Sequence, residues 1–269
     1  MNHKPWELLL FILQANHKKI FYFFLFGYLL STLNLNAQYP TIRERIENLP
    51  NFDNKPIHYG YFIGFNDYDF KFEYEESYYK YKKLSDIELE KSSGFNVGLI
   101  ADLRLHEYIN IRLEPGLYAS QRKLLYPNQA DLPNQEDKIR EIKSTYIHLP
   151  LLIKFSSKRV NNFKPYIVGG ISTSLNLSSN QKSNDDNLNN VFRLKSTTLN
   201  YEAGFGIDFY LPYFKFSPSI RGVFSIDNEI IQDNDPESPW TSNVKKLFSR
   251  GVLINLTFEW FFNQYSWRI

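Results

Sequence analysis

LNYEAGFGIDF, residues 199–209, decides the fold. Read with a period of two, Leu199, Tyr201, Ala203, Phe205, Ile207 and Phe209 share one side of an extended chain. Asn200, Glu202, Gly204, Gly206 and Asp208 share the other. A continuous aromatic and aliphatic face opposite small residues and carboxylates fits a wall with lipid outside and a narrow polar lumen inside. A soluble barrel would turn the apolar set inward and its charges outward.

The same alternation recurs on both sides of this stretch. It appears in HYGYFIGFN (58–66), GFNVGLIAD (94–102), INIRLEPGLY (109–118) and TYIHLPLLIKF (145–155). It returns less clearly in Pro165–Leu175, then in FKFSPSIRGVF (214–224) and VLINLTFEW (252–260). The pattern predicts an all-β protein: an eight-stranded antiparallel transmembrane β-barrel of the outer-membrane type. Connections around 75–91, 122–143, 177–195 and 225–248 are long and polar, whereas those around 103–108, 156–163 and 210–213 are short. Long extracellular loops and short periplasmic turns are the arrangement of bacterial outer-membrane barrels, and they place both chain ends in the periplasm. Tyr59, Tyr108, Phe155, Phe209, Tyr213, Trp260 and Phe261 are expected to form aromatic girdles. A soluble β-sandwich or lipocalin-like barrel is the competing fold.

The inward set defines the candidate site. Arg112, Glu114, His148, Lys154, Glu202, Asp208, Lys215, Arg221 and Glu259 are predicted to fill the lumen with mutually compensating charge. Gly204 and Gly206 relieve crowding there. The acidic, Tyr-rich stretch Asp67–Lys83 either extends the first strand above the membrane or offers a contact surface.

Residues 1–37 read as a secretory signal: His17, Lys18 and Lys19, an apolar run Ile20–Leu30, and a small residue at Ala37. The alternative is a retained N-terminal anchor. The leading stretch Met1–Asn16, with its own apolar patch Trp6–Leu13, reads either as sequence upstream of the true start or as an extended n-region. Residues 38–56 then form a periplasmic tether, with a short helix over Ile42–Leu49, and 57–269 the barrel. Without residues 1–37 the chain carries as many basic as acidic residues, so no broad nucleic-acid-binding surface is expected. The absence of cysteine excludes disulfides, thiolate metal sites, cysteine nucleophiles and a lipidated N-terminal Cys.

Chemistry-bearing motifs are sparse. His3, His17, His58, His106 and His148 have no partner at i+2 or i+4, so no metal site is expected. Gly204 and Gly206 lack the helix and lysine of a phosphate loop. His148 with a serine is the one candidate for acyl transfer, weighed against a place in the internal polar network. The chain is therefore expected to be no enzyme and to need no cofactor or small-molecule substrate, with outer-membrane lipid as its surroundings.

The segment Asn48–Phe72 resembles the start of the mature PorT/SprT family of Bacteroidetes. Leu49-Pro50-Asn51-Phe52-Asp53 followed by Pro56-Ile57-His58-Tyr59-Gly60 is its specific part. Arg112–Leu117 (RLEPGL), Tyr146–Leu152 (YIHLPLL), Lys164-Pro165-Tyr166 and Gly169-Gly170 match too, in forms shared by many Bacteroidetes barrels. The resemblance implies an outer-membrane component of type IX protein secretion and gliding motility, partnered by other secretion components and without catalytic residues. A small pore or structural barrel and a lipid-modifying barrel enzyme are the other functions to weigh.

Overall fold

The computed structural model describes residues 46–75, 87–126, 138–182, 192–236 and 238–260. The expected signal segment 1–37, residues 38–45 of the tether, 76–83 of the Tyr-rich stretch and Phe261 lie outside these residues. Nine strands run antiparallel around a ring: β1 (Ile57–Tyr74), β2 (Glu88–Arg104), β3 (Ile109–Leu113), β4 (Gly116–Leu125), β5 (Ile139–Ser156), β6 (Phe163–Asn176), β7 (Thr197–Tyr210), β8 (Lys215–Ser225) and β9 (Val244–Trp260). β9 pairs with β1 and closes the ring.

β3 and β4 are halves of one stave. Both pair with β2 and with β5, and the register runs through the gap, Ala101↔Leu113 continuing as Gly98↔Gly116. Between the halves the ladder lapses at Glu114-Pro115, because proline has no N–H to donate. Its carbonyl still accepts from Leu99 N at 2.9 Å. The wall therefore has eight staves, as the alternation predicts.

The register also fixes the diameter. Ile57 faces Leu103, then Ile111, Ile153, Gly169, Ala203, Gly222 and Val252 in turn, and Val252 faces Asp67. One circuit climbs from Ile57 to Asp67, a shear of ten residues. Eight staves with that shear incline by about 40° and enclose a backbone cylinder of roughly 8 Å radius. Side chains fill such a cylinder.

The faces are inverted relative to a soluble protein. Leu99, Phe65, Phe205 and Ile167 are 60–65% exposed on the outer wall, while Arg112, Lys154, Glu202 and Glu259 are at most 2% exposed within. Outward positions are apolar from Ile57 to Phe65 on β1 and from Trp260 to Val252 on β9; the next ones up are Asp67 and Arg250. Nine inclined residues cover about 20–25 Å, the height of a hydrocarbon band. Tyr59, Tyr108, Phe155, Phe209 and Tyr213 are all exposed near its lower, short-turn edge.

Above the band, β1, β2, β4, β5 and β9 continue as a raised lip. Its outer face is charged, with Asp69 bonded to Arg250 at 2.9 Å and paired with Lys91 at 3.2 Å. Its inner face is largely apolar, with Arg122 and Arg140 buried against the Phe70 and Trp240 rings. Phe70, Leu124, Ile142, Val244 and Leu247 pack there with Phe192, Leu194, Ile230 and Trp240 from the connections before β7 and β9. Strand therefore occupies 88–91, 122–125, 139–143 and 244–248, which the sequence pattern assigns to loops. Charged outward residues mask the alternation in these stretches, but the cap needs the inward ones. Within the cap, burial raises the Glu229 carboxyl above its ordinary value, although Ser249 donates to it from N at 2.9 Å and from Oγ at 2.8 Å.

Candidate functional site

Alternation aims the polar side chain of every second residue at the barrel axis, and neighbouring staves bring these into contact. All nine lumen residues singled out above meet in one network. Arg112 is its hub: Nε donates to Asp102 Oδ2 at 2.7 Å, Nη2 to Glu259 Oε1 at 2.7 Å and Nη1 to Glu114 Oε1 at 3.4 Å. From Glu259 the chain of charge passes to Lys215 at 2.7 Å. Lys215 lies 3.7 Å from Asp208, which accepts from Lys154 Nζ at 2.6 Å and from Ser217 Oγ at 2.6 Å. From Glu114 it passes to Arg221 at 2.7 Å, and from Arg221 Nε to Glu202, also at 2.7 Å. The Lys154 ammonium lies over the Tyr166 ring at the network's floor, Nζ 3.9 Å from the ring centroid.

His148 closes the upper end. Its Nε2 is 2.7 Å from Glu202 and its Nδ1 2.8 Å from Ser174 Oγ. A serine, a histidine and a carboxylate in line would suit acyl transfer. Here all three are buried, Asn200 Nδ2 donates to the same Ser174 hydroxyl at 2.9 Å, and Arg221 holds Glu202 from behind. The β5–β6 ladder runs unbroken past them, His148 facing Ser174 and Ile147 facing Leu175, leaving no lateral entrance for lipid.

Sequence reasoning missed several members. Asp102 lies on the inward face of its strand and is 0% exposed, but its role depends on Arg112 across the β2–β3 pair. Arg122 sits where a loop was expected to begin. It is buried over the Phe70 ring at 3.9 Å and donates to Tyr146 OH at 2.7 Å. Alternation marks Asp102 as inward but not as the partner of Arg112, and nothing in the local pattern marks Arg122.

The residues of the LPNFD…PIHYG stretch close the periplasmic end. Phe52 is wholly buried beneath the lumen, 5.0 Å from Lys215 Nζ and edge-on to Tyr210. Its ring stacks on His58, whose Nε2 donates to the Phe52 carbonyl at 2.8 Å. Asp53 accepts from Tyr210 OH at 2.7 Å, and Lys164 lies 3.6 Å away. Arg159 donates to the carbonyls of Asn48 and Leu49, and the Pro56 carbonyl accepts from Arg104 N at 2.8 Å. Ile57 and Tyr59 point outward, Asn51 is exposed, and Gly60 lies so close to the Phe258 carbonyl and Glu259 that a side chain would not fit. The described part of the expected tether, 46–56, is thus a seated plug. Ile46–Leu49 is not helical: Leu49 takes a positive φ of 50° ahead of Pro50, and Arg159 captures carbonyls that a helix would use.

Comparison with known proteins gives a consistent picture. Residues 36–230 match the family described as outer membrane protein beta-barrel domain. No curated protein matches the chain. Among solved structures, the outer membrane protein OprG from Pseudomonas aeruginosa aligns at 15% identity with a TM-score of 0.41, over 76% of this chain and 94% of that one. Neisserial surface protein A (NspA) aligns at 10% identity and TM-score 0.39, over 74% and 97%. Ail, the attachment invasion locus protein of Yersinia pestis, aligns at 12% and 0.36, over 77% and 100%.

Proposed function

The chain belongs to the outer-membrane β-barrel domain family, and from that premise we propose that it is a non-enzymatic component of type IX protein secretion and gliding motility, working through protein–protein contacts. The observation that carries this reading is the place of the segment that bears the resemblance. Leu49–Asp53 is folded against the periplasmic mouth, where it presents an ordered surface to periplasmic partners. A lumen filled from Phe52 to the apolar cap favours a contact role over solute passage.

The experiment is deletion of the chain from a cell that secretes by the type IX route, followed by complementation. Cargo retained in the periplasm and lost gliding, both restored by the wild-type chain, support the proposal. Normal secretion and gliding in the deletion strain would end it. The second reading, a small structural barrel, then takes its place, favoured by the continuous ion network across the lumen. A His148→Ala variant that changed lipid A composition would instead revive the enzyme reading.

A further inference from the structure

We propose that a cleft beside the plug is a binding site for an acidic peptide segment of a periplasmic protein. The proposal rests on the contact role argued above and locates the contact.

The cleft has a volume of about 340 Å³ and is built from three stretches far apart in sequence. These are the plug around Glu47–Asn54, the β2–β3 turn at Arg104–Tyr108 and the β5–β6 turn at Ser157–Lys164. Four cations line it. Lys164 is engaged by Asp53 at 3.6 Å and Arg159 by Glu47 at 3.4 Å. The side chains of Arg104 and Lys158 have no hydrogen-bond or ion-pair partner among the described residues. Arg104 is half-buried, so its guanidinium is partly desolvated without a counter-charge, the condition in which a carboxylate is most strongly drawn. On the same wall Glu107 can accept N–H groups. A peptide brings both carboxylates and N–H donors; a glycan strand brings mainly hydroxyls.

The walls are held in place before any ligand arrives. Leu49 and Asn161, with φ of 50° and 53°, are the non-glycine residues in left-handed conformation among those described. A single side chain secures both, Arg159 Nη1 donating to the Leu49 carbonyl at 3.2 Å and Nε to the Asn161 carbonyl at 2.7 Å. The Arg159 guanidinium lies 3.6 Å from the Tyr210 ring centroid, which anchors it to the barrel. Backbone held in rare conformations by a dedicated side chain is typical of preformed binding sites.

The test uses the full chain in lipid nanodiscs, titrated with a fluorescent, C-terminally amidated Glu-Gly repeat nonapeptide. A Lys-Gly counterpart and a soluble cell-wall muropeptide serve as comparisons. The Glu peptide is expected to bind, the Lys peptide not. Arg104→Glu/Lys158→Glu should weaken binding about tenfold or more, and added salt should weaken it as well. Arg104→Gln/Lys158→Gln, which adds no repulsion, should give a smaller loss in the same direction. The heat-shifted mobility of each variant reports that the barrel is folded. Unchanged binding by folded variants overturns the proposal, as does preference for the muropeptide. In cells the two proposals separate. Full secretion by the charge-reversed variant in a strain that needs the chain removes the cleft alone. Peptide capture by a chain that secretion does not need removes the function alone.

Discussion

Phe52 and His58 lie face to face at the periplasmic mouth, ring centroids 4.4 Å apart and planes within 6°, with a hydrogen bond from the imidazole back to the Phe52 carbonyl. The pair turns a stretch that reads as a linker into part of the barrel. They stand six positions apart in the chain, and the loop between is drawn tight by Lys55 N donating to the Phe52 carbonyl at 3.2 Å.

Replacing Phe52 by Ala should free the plug. Loss of a fully buried aromatic ring costs about 3 kcal/mol or more. Because this ring anchors one segment, the loss should show first as rapid protease cleavage within 46–56, with heat-modifiability retained. A plug as resistant as wild type would show that Arg159 and Asp53 hold it unaided.

Neither wild type nor Phe52→Ala should conduct in planar bilayers. The plug covers the mouth, but the Arg112 and Arg221 networks occupy the lumen above it. Ohmic steps from the variant would show that the network leaves a path for ions.

Arg112→Ala should be among the most damaging single changes. It leaves Asp102, Glu114 and Glu259 facing one another with their shared cation gone, and breaking such buried pairs costs about 3–5 kcal/mol. Arg112→Lys keeps the charge but not the planar fork, and should fall between. Urea unfolding in lipid vesicles measures both; near-wild-type midpoints would mean the remaining charges rearrange freely.

The Phe62 ring lies across Gly98 and Gly116, which face one another in the β2–β4 ladder. An added Cβ would lie 2.6 Å from that ring at Gly98 and 2.8 Å at Gly116. Gly98→Val is expected to destabilise by about 1–3 kcal/mol through overpacking. Adding Phe62→Ala should recover part of that loss, which equilibrium unfolding of the double variant would reveal. Strict additivity would show that the two do not collide.

The extracellular cap should loosen with rising pH. Burial lifts the native Glu229 value above its unfolded one, so the folded cap holds the proton more tightly. That stabilisation is complete below the ordinary carboxylate range and is lost as pH rises through the native value. Exchange of the Ser249 amide, which donates to Glu229, should quicken across that window. Glu229→Gln should flatten the dependence; an unaltered profile would assign it to another group.

The staves and their faces were legible because the strand period is local: each residue's side follows from its neighbours two positions away. The lumen residues were legible for the same reason, since Glu202 or Lys215 must point inward once Phe205 and Phe216 face lipid. What the sequence could not carry is pairing across staves. Which carboxylate meets Arg112, or that Arg159 captures the Leu49 carbonyl, depends on register accumulated around the whole ring. The raised lip stayed hidden because Lys123 and Lys143 face solvent beside Leu124 and Ile142, a composition that reads as loop until the cap covers its inner side.

The ladder between β1 and β9 runs from Tyr59↔Trp260 to Tyr74↔Val244, the longest in the ring. It joins the two strands most distant along the chain, the contact with the largest loop-closure entropy to overcome. Without β9 the remaining strands are an open ribbon with two raw edges, a form that hydrocarbon does not tolerate. The wall therefore behaves as a zipper fastened by its longest row of teeth: the strands commit to the membrane only when β9 has met β1.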